Sequence, residues 1–258
     1  MIGGQRVSGA ERALQPEGLR SGAVLGVVLA GGLGRRMGGA DKPLLPLAGV
    51  PMVLRVAAAL RSPEGAVVLA TGAESARYSH LGLPCLPDPD LPLTAADQGR
   101  AGPLAAILAG LEEAGRLGLD WVLTCPADVP LVPPDLGSRM AGFLLQVAAV
   151  EGAVPPGVTV EASAPEEEGG VRWHPAIALL WAGLAPSLRG ALMARERRVG
   201  GWMRQAGTLR MPWRPAAGET DAAEIGRGPD PFSNINTPED LWRAEAALSS
   251  GRGTGVDG

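Results

Sequence analysis

The fold is decided by a stretch near the amino terminus, Val24-Leu-Gly-Val-Val-Leu-Ala-Gly-Gly-Leu-Gly-Arg-Arg-Met-Gly-Gly-Ala-Asp-Lys42. Its first six residues form an apolar run, which predicts a buried strand. Five glycines between positions 31 and 39 follow, together with two arginines. Glycine allows the backbone to approach a phosphate closely and to turn its N–H groups toward it. A strand, a glycine-rich loop and a fixed cation therefore predict a site for nucleotide phosphates.

Lys42 is the only lysine of the chain. The other 22 of its 23 Lys and Arg residues are arginine. Lysine carries a compact ammonium on a flexible stem, whereas arginine presents a planar fork. A single lysine at the end of the glycine-rich loop therefore indicates that the site needs the shape of an ammonium group.

Spacing separates this loop from two other phosphate-binding loops. A Walker A loop requires Gly-Lys-Ser/Thr, but Lys42 lies between Asp41 and Pro43. A dinucleotide-binding loop requires Gly-x-Gly-x-x-Gly, and the segment from 32 to 38 is one residue too long for it. Glu74, after the second predicted strand, could still bind a ribose. The spacing excludes the Walker loop and weakens the dinucleotide interpretation.

Composition limits the kinds of partner. The 258 residues are 46% hydrophobic and only 3% aromatic, which predicts an aliphatic core. A net charge of −4 argues against a protein that coats nucleic acid, so phosphate binding must be local. We expect no nucleic-acid partner, no membrane partner, and two reduced cysteines, Cys85 and Cys125, in a cytoplasmic protein.

The order of elements predicts an α/β fold. Strands that are apolar at every position, with helices between them, indicate a parallel sheet covered on both faces. Ligands of such sheets bind at the carboxyl ends of the strands. The predicted strands are 24–30, 66–70, 83–86, 121–125 and 176–181, and the predicted helices are 52–61 and 103–117.

The second half has a looser pattern. Segment 154–168 mixes prolines with three glutamates and is interpreted as a solvated loop or a hairpin insertion. Segment 212–231 is predicted to be a long surface connection. Thr237 and Pro238 predict the start of a last helix, with threonine as its cap. Residues 1–20 and 249–258 are expected to be disordered.

At this point a family resemblance can be stated. The segment from Leu29 to Leu44 resembles the signature loop of nucleotidyltransferases, and specifically of the molybdenum cofactor guanylyltransferases. The resemblance implies a three-layer Rossmann-like nucleotidyltransferase fold with a mostly parallel central sheet, over residues 21–248. Five more blocks occur in the family's order: Gly102-Pro-Leu-Ala-Ala106, Cys125-Pro-Ala-Asp128-Val-Pro-Leu131, His174-Pro-Ala-Ile177, Arg197-Arg-Val199 and Asn234-Ile-Asn-Thr-Pro-Glu-Asp-Leu241.

The resemblance also implies site residues. The base and ribose would lie against the end of the first strand, the triphosphate inside the loop, and a Mg²⁺ ion on a carboxylate after the fourth strand. The implied residues are Leu29, Ala30 and Gly31 for guanine and ribose, Gly32 through Gly38 with Arg36 and Lys42 for the triphosphate, Asp88 for the nucleotide, Asp128 for Mg²⁺, and Asn234 and Asn236 for the reacting phosphates.

Several of these positions have a plainer interpretation. Asp128 could cap a helix near Pro134 instead of binding Mg²⁺, although its place after an apolar strand favours the metal. Asp88 lies between prolines, as turn residues often do, and Asp90 is easily confused with it. Arg197 and Arg198 could bind the second substrate's phosphate or form an exposed helix end.

Two further residues are expected to act through structure. His174 is assigned a structural or substrate-orienting role, because in-line phosphoryl displacement needs charge and positioning more than a base. Cys125 falls inside a predicted buried strand, so we expect an inert core thiol.

The implied activity is Mg²⁺-dependent transfer of GMP from GTP to molybdenum-bound molybdopterin, with release of pyrophosphate. Transient contact with molybdopterin-handling proteins or molybdoenzymes is expected. Gly31, where cytidylyltransferase relatives tend to carry alanine, leaves room that favours a purine. Three alternatives stay open: a CTP-dependent molybdopterin cytidylyltransferase, a sugar-1-phosphate nucleotidyltransferase, and a non-catalytic nucleotide-binding module that partners molybdoenzymes.

Overall fold

The computed structural model describes residues 19, 23–31, 41–62, 65–91, 102–164, 170–214 and 230–250. Its strands are β1 (Val24–Leu29), β2 (Pro46–Leu47), β3 (Val50–Pro51), β4 (Val67–Ala70), β5 (Cys85–Leu86), β6 (Trp121–Pro126), β7 (Gly157–Ser163), β8 (Val171–Trp181) and β9 (Leu209–Pro212). Its helices are α1 (Met52–Ala59), α2 (Ser75–Tyr78), α3 (Gly102–Leu117), α4 (Leu136–Glu151), α5 (Ala185–Met193), α6 (Val199–Gln205) and α7 (Pro238–Ser250).

Seven of the described strands form one central sheet, in the order β5-β4-β1-β6-β8-β7-β9. All of them run in one direction except β8, which is antiparallel to both of its neighbours. The chain moves from β1 outward to β4 and β5, then returns to place β6 on the other side of β1. This reversal creates a crevice at the carboxyl ends of β1 and β6, where ligands of such sheets bind. The expected mostly parallel sheet is confirmed.

Helices cover both faces of the sheet and make three layers. Val28 of β1 packs into the apolar cluster that contains the buried residues of α1 and α4. Its neighbours Val27 and Leu29 point to the opposite face, where α3, α5 and α6 supply the cluster. Gly110 lets α3 approach β1 closely, because a Cβ there would lie 2.7 Å from a methyl carbon of Val27. Both faces of β1 are therefore buried, as its unbroken apolar run predicts.

The interpretation of segment 154–168 was partly wrong. Residues 157–163 form β7, a strand of the central sheet that pairs with both β8 and β9, so this part is not a solvated loop. Val158 and Val160 are fully buried, and burial of the valines overrides the polar residues around them. The hairpin alternative is correct, because β7 and β8 are antiparallel neighbours. Its glutamates at 166–168 lie outside the described residues.

The start of β8, the cap of α7 and the burial of Cys125 were also predicted from the sequence. β8 begins five residues before the predicted strand at 176, because its first half pairs with β7 alone. Thr237 caps α7 as predicted, since its Oγ1 accepts a hydrogen bond from the Asp240 N–H at 3.1 Å. Most of the predicted connection at 212–231 lies outside the described residues, as do positions 1–18 and 251–258. The tail expected to be disordered from position 249 begins too early, because α7 extends to Ser250. Cys125 is fully buried, and both cysteines are free thiols.

Candidate active site

Lys42 lies at the centre of a polar cluster in the crevice. Its Nζ donates to Asp128 Oδ2 at 2.6 Å and to Asn236 Oδ1 at 2.8 Å. The side chain is 11% exposed, so its stem is packed away from water while the ammonium faces the cluster. A short 3₁₀ turn over Lys42–Leu44 begins at this residue and fixes its backbone. The cation is therefore held in place at the end of the glycine-rich segment.

Asp128 follows β6 at the carboxyl end of that strand. Its neighbours Ala127 and Val129 are buried, whereas its own side chain is 22% exposed. The carboxylate accepts hydrogen bonds from Lys42 and, at 3.3 Å, from Asn234 Nδ2. Because α4 has Asp135 at its N-cap, the helix-capping alternative for Asp128 is wrong. The carboxylate is directed into the crevice.

The segment 234–236 supplies the third side of the cluster. Ile235 is buried in a small core with Leu47 and Met52, and its N–H donates to the Asp128 carbonyl at 2.9 Å. This anchor turns Asn234 and Asn236 outward toward the carboxylate and the ammonium. Because the buried Ile235 lies between two exposed residues, the side-chain amides of Asn234 and Asn236 both face the cluster.

The start of α7 holds Asn236 from the other side. Asp240 Oδ2 accepts hydrogen bonds from the N–H groups of Asn236 and Thr237, each at 2.9 Å. Burial opposes the ionisation of Asp240, but these bonds and the Thr237 hydroxyl outweigh it and lower its pKa. The helix cap and the site thus share one carboxylate.

A second anchor lies earlier in the same loop, at Asp230. Its carboxylate lies 3.0 Å from His174 Nε2 and accepts a hydrogen bond from the Phe232 N–H at 2.9 Å. Burial opposes the ionisation of Asp230, but the contact with His174, the Phe232 N–H and the Ser233 hydroxyl lower its pKa overall. This geometry gives His174 a contact with the loop that carries the two asparagines. His174 itself has no described contact with Lys42 or Asp128.

Tyr78 is a component of the site region that the sequence did not reveal. Its hydroxyl lies 3.3 Å from the Ala30 carbonyl and 3.3 Å from Asp41 Oδ1, so it touches both ends of the glycine-rich segment. Arg77, its neighbour in α2, contacts the other Asp41 oxygen at 3.5 Å. No local motif signals this, because the residues are far apart in sequence and meet only when α2 packs on the sheet.

The end of β1 is where the base and ribose were expected. Leu29 and Ala30 are buried, and the Gly31 N–H donates to the Ala70 carbonyl at 2.8 Å. A methyl group at position 31 would make ordinary contacts, 3.4 Å from the Ala70 oxygen and from the Thr71 carbonyl carbon. The described part of the fold therefore accepts alanine at position 31.

Asp88 lies beyond β5, on a neighbouring part of the same edge. Its carboxylate faces Gly72, whose φ of +59° suits glycine and where a Cβ would lie 3.1 Å from Asp88 Oδ2. Desolvation raises the pKa of Asp88. Asp90 offers Arg189 only its backbone oxygen among the described contacts. The structure thus distinguishes the two acids, although neither has a described contact with the Lys42 cluster.

The two arginines of the predicted substrate side differ in their surroundings. Arg197 donates to the backbone carbonyls of Leu192 and Glu196, which commits its guanidinium to the fold. Arg198 is the N-cap residue of α6, and its side chain is 87% exposed. Its described ion pair is with Glu196 at 3.8 Å, not with the Lys42 cluster. Gly32 and Arg36 lie outside the described residues.

The donors in the crevice fit a magnesium ion. Asp128 offers a carboxylate, and the two asparagines offer amide oxygens, which are the hard ligands that Mg²⁺ prefers. Among the described residues no group of three or more His, Cys, Asp and Glu side chains could hold a metal. One carboxylate is enough where phosphates and water complete the coordination, as is common for Mg²⁺.

Comparison with known proteins identifies the family. Residues 26–209 match the family described as the MobA-like NTP transferase domain. The chain belongs to this family. It is 38% identical over 225 residues to a molybdenum cofactor guanylyltransferase of Cereibacter sphaeroides, covering 87% of this chain and 97% of that one. It is 33% identical over 230 residues to that of Cupriavidus metallidurans, covering 88% and 97%. The chain is therefore a nucleotidyltransferase of the molybdenum cofactor guanylyltransferase family.

Solved structures agree on the fold of this family member. The molybdopterin-guanine dinucleotide biosynthesis protein A from Archaeoglobus fulgidus aligns with a TM-score of 0.61 at 20% identity, covering 88% of this chain and all of that one. At that identity the alignment shows a shared fold. The Rossmann-like nucleotidyltransferase architecture is confirmed. No described helix is long and apolar enough to cross a membrane.

Proposed function

We propose that this nucleotidyltransferase transfers GMP from GTP to molybdenum-bound molybdopterin, forming the guanine dinucleotide cofactor and pyrophosphate. One observation carries the proposal: the Lys42 ammonium, the Asp128 carboxylate and two asparagines converge at the carboxyl ends of β1 and β6. The names of the relatives supply the acceptor and the base.

The chemistry requires no nucleophile from the protein. The terminal phosphate of molybdopterin is an anion, and one of its oxygens attacks the α-phosphorus of GTP in line. A new P–O bond forms as the bond from the α-phosphorus to the bridging oxygen breaks, and its electron pair leaves with pyrophosphate. Fixed positive charge lowers the barrier to such a step by stabilising the developing negative charge. In our proposal Lys42 and Arg36 supply that charge.

Lys42 is suited to this task because its ammonium is already desolvated and held. Its flexible stem allows it to exchange Asp128 and Asn236 for triphosphate oxygens when GTP enters the crevice. The N–H groups of the loop from Gly32 to Gly38 would contribute further donors, and Asp88 would contact the nucleoside. The exposed Arg198 would meet the acceptor's phosphate.

Asp128, with the amide oxygens of Asn234 and Asn236, is proposed to hold a Mg²⁺ ion. When bound, the ion would supply positive charge that offsets the negative charge of the triphosphate. Asp128 keeps the conformation needed for this through the hydrogen bond from Asn234 and the backbone contact with Ile235.

Guanine is proposed as the base mainly because the similar relatives are named guanylyltransferases. The absence of a side chain at Gly31 leaves room beside the proposed base, which fits a purine. The reaction is proposed to take place in the cytoplasm, with transient transfer of the product to molybdopterin-handling proteins or molybdoenzymes.

A competition assay tests this proposal. The protein, Mg²⁺ and molybdenum-bound molybdopterin are incubated with equal GTP and CTP, and the two dinucleotide products are measured by mass spectrometry. We expect the guanine product to dominate. Faster formation of the cytosine product would overturn the base assignment. Turnover with a sugar 1-phosphate in place of molybdopterin would overturn the acceptor. Nucleotide binding without pyrophosphate release would support a non-catalytic module instead.

A further inference from the structure

The hydroxyl of Tyr78 lies between the two ends of the glycine-rich segment. It is 3.3 Å from the carbonyl oxygen of Ala30, where the segment begins, and 3.3 Å from Asp41 Oδ1, where it ends. Ten residues, 31–40, separate these two partners in sequence. The single hydroxyl hydrogen can be donated to only one acceptor at a time, so the hydroxyl lies where it can bond to either end of the segment.

The ring and the hydroxyl of Tyr78 have separable tasks. The residue is 2% exposed, and its ring belongs to the apolar cluster that also contains Val53 and Val56 of α1. Phenylalanine would fill almost the same volume without a polar atom. A buried hydroxyl costs free energy unless it is hydrogen-bonded, so the tyrosine needs acceptors at this place. Tyr78 is the only tyrosine of the chain.

Asp41 connects this hydroxyl to Lys42. The Asp41 carbonyl accepts a hydrogen bond from the Leu44 N–H at 2.9 Å, which closes the 3₁₀ turn that carries Lys42. Arg77 holds the second oxygen of the Asp41 carboxylate and is itself paired with Glu74 at 2.6 Å. Two consecutive residues of α2 therefore fix the residue directly before Lys42.

We propose that Tyr78 is a positioning residue for the nucleotide: its hydroxyl fixes the two ends of the glycine-rich segment and, through Asp41, the place of the Lys42 ammonium. This inference rests on the proposed function, since it assigns the positioned groups to a triphosphate. Tyr78 acts through Ala30 and Asp41 and does not itself touch the reacting atoms.

The protonation state of the phenol suits this role. Burial, together with the nearby Asp41 carboxylate, raises the pKa of Tyr78 far above its usual value. The hydroxyl therefore remains a donor at any pH at which the enzyme works. Titration of Tyr78 plays no part in the reaction.

Substitution Tyr78→Phe tests the proposal, because it removes the hydroxyl and keeps the ring. We expect the KM for GTP to rise about tenfold while kcat changes less than about threefold, since the groups that bind the nucleotide would no longer be held in place. The KM for the molybdopterin acceptor should not change. A smaller fraction of folded protein would by itself lower the apparent kcat and leave the KM unaltered. The matched control is Ser79→Ala, which removes an exposed hydroxyl bonded to the Ala76 carbonyl and should behave as wild type.

Amide hydrogen exchange in the nucleotide-free protein gives a readout that does not depend on activity. In Tyr78→Phe the Leu44 amide should exchange about tenfold faster, because its acceptor Asp41 is less firmly held, while amides of β6 keep their wild-type rates. An unchanged Leu44 rate, or an unchanged KM for GTP in an active enzyme, overturns the role of Tyr78. Absence of GMP transfer by the wild type would refute the proposed function alone, and the exchange rate would still decide whether Tyr78 holds Asp41.

Discussion

The Lys42 ammonium lies 2.6 Å from the Asp128 carboxylate, although 86 positions separate the two residues in sequence. The sheet explains their meeting. Leu29, the last residue of β1, is in register with Pro126, the last residue of the parallel strand β6. Lys42 and Asp128 each follow one of these strands, so the topology delivers both side chains to the same edge. A cation and a carboxylate are thereby held together at the place that we propose for the triphosphate and the metal.

Lys42→Arg keeps the charge but should impair the enzyme. The ammonium donates to both Asp128 Oδ2 and Asn236 Oδ1 from a side chain that is largely buried, and a planar guanidinium cannot reproduce the geometry of these two bonds. We expect kcat/KM for GTP to fall about a hundredfold or more, as is typical when a group that stabilises the transition state is misplaced.

The control for Lys42→Arg is a substitution of arginine by lysine outside the cluster. Arg55→Lys changes another partly buried cation, which donates to the Leu47 carbonyl and lies outside the cluster. Its steady-state kinetics should stay within about twofold of wild type. Near-normal turnover by Lys42→Arg would mean that the single lysine of this chain is a coincidence of composition.

Asp230→Asn should change how stability depends on pH. Because the pKa of Asp230 is lower in the folded protein, its ionised form stabilises the fold above the pKa of the unfolded chain. That contribution disappears as the pH falls below about 4 toward the folded pKa. Urea unfolding should therefore find the variant less stable by about 1–3 kcal/mol at pH 7. The difference should shrink toward pH ~2.

The control for Asp230 is Asp135→Asn, which affects an exposed carboxylate 3.7 Å from Arg139. Exposed pairs contribute little, so its stability should follow the wild type at every pH. If the Asp230→Asn and wild-type curves run parallel from pH ~7 to pH ~2, the contact with His174 does not stabilise the loop through its charge.

Arg198→Ala should affect the acceptor alone. Its guanidinium is exposed and able to bind a phosphate, whereas that of Arg197 is committed to backbone carbonyls. We expect the KM for molybdopterin to rise about tenfold, with the KM for GTP and the melting temperature unchanged. Arg197→Ala, in contrast, should lower the melting temperature.

Arg116→Ala serves as the control for Arg198, because it removes an exposed arginine from the last turn of α3, where its described partner is Glu113. Its kinetics should equal those of wild type. An Arg198→Ala enzyme with an unchanged KM for the acceptor would place the second substrate elsewhere.

The strands β1 and β6 could be predicted because strands that are buried on both faces are apolar along their whole length. The buried β1 and β6 are apolar at nearly every position, and this pattern gave their bounds within one residue. β7 was missed as a sheet strand because prolines and acids flank it and hide its buried valines. β9 has only four residues, Leu209–Pro212, too few for a period to be seen.

Several site residues could also be anticipated. The loop pattern pointed to Lys42, the end of a strand pointed to Asp128, and the family resemblance implied Asn234 and Asn236. The structure brings these four together. The supporting contacts could not be inferred in the same way. Tyr78 meets Asp41 across 37 positions, and such a pairing depends on how a short helix packs on the sheet.

Asp128→Asn tests the central claim most directly. The substitution removes one charge and keeps the backbone contact with Ile235, so the fold should be retained. Formation of the guanine dinucleotide from GTP and molybdenum-bound molybdopterin is measured at saturating Mg²⁺, with unfolding by urea as the check on folding. We predict that kcat falls about a thousandfold or more, since the variant lacks the carboxylate proposed to hold the metal. A folded Asp128→Asn enzyme that turns over at nearly the wild-type rate would contradict the account.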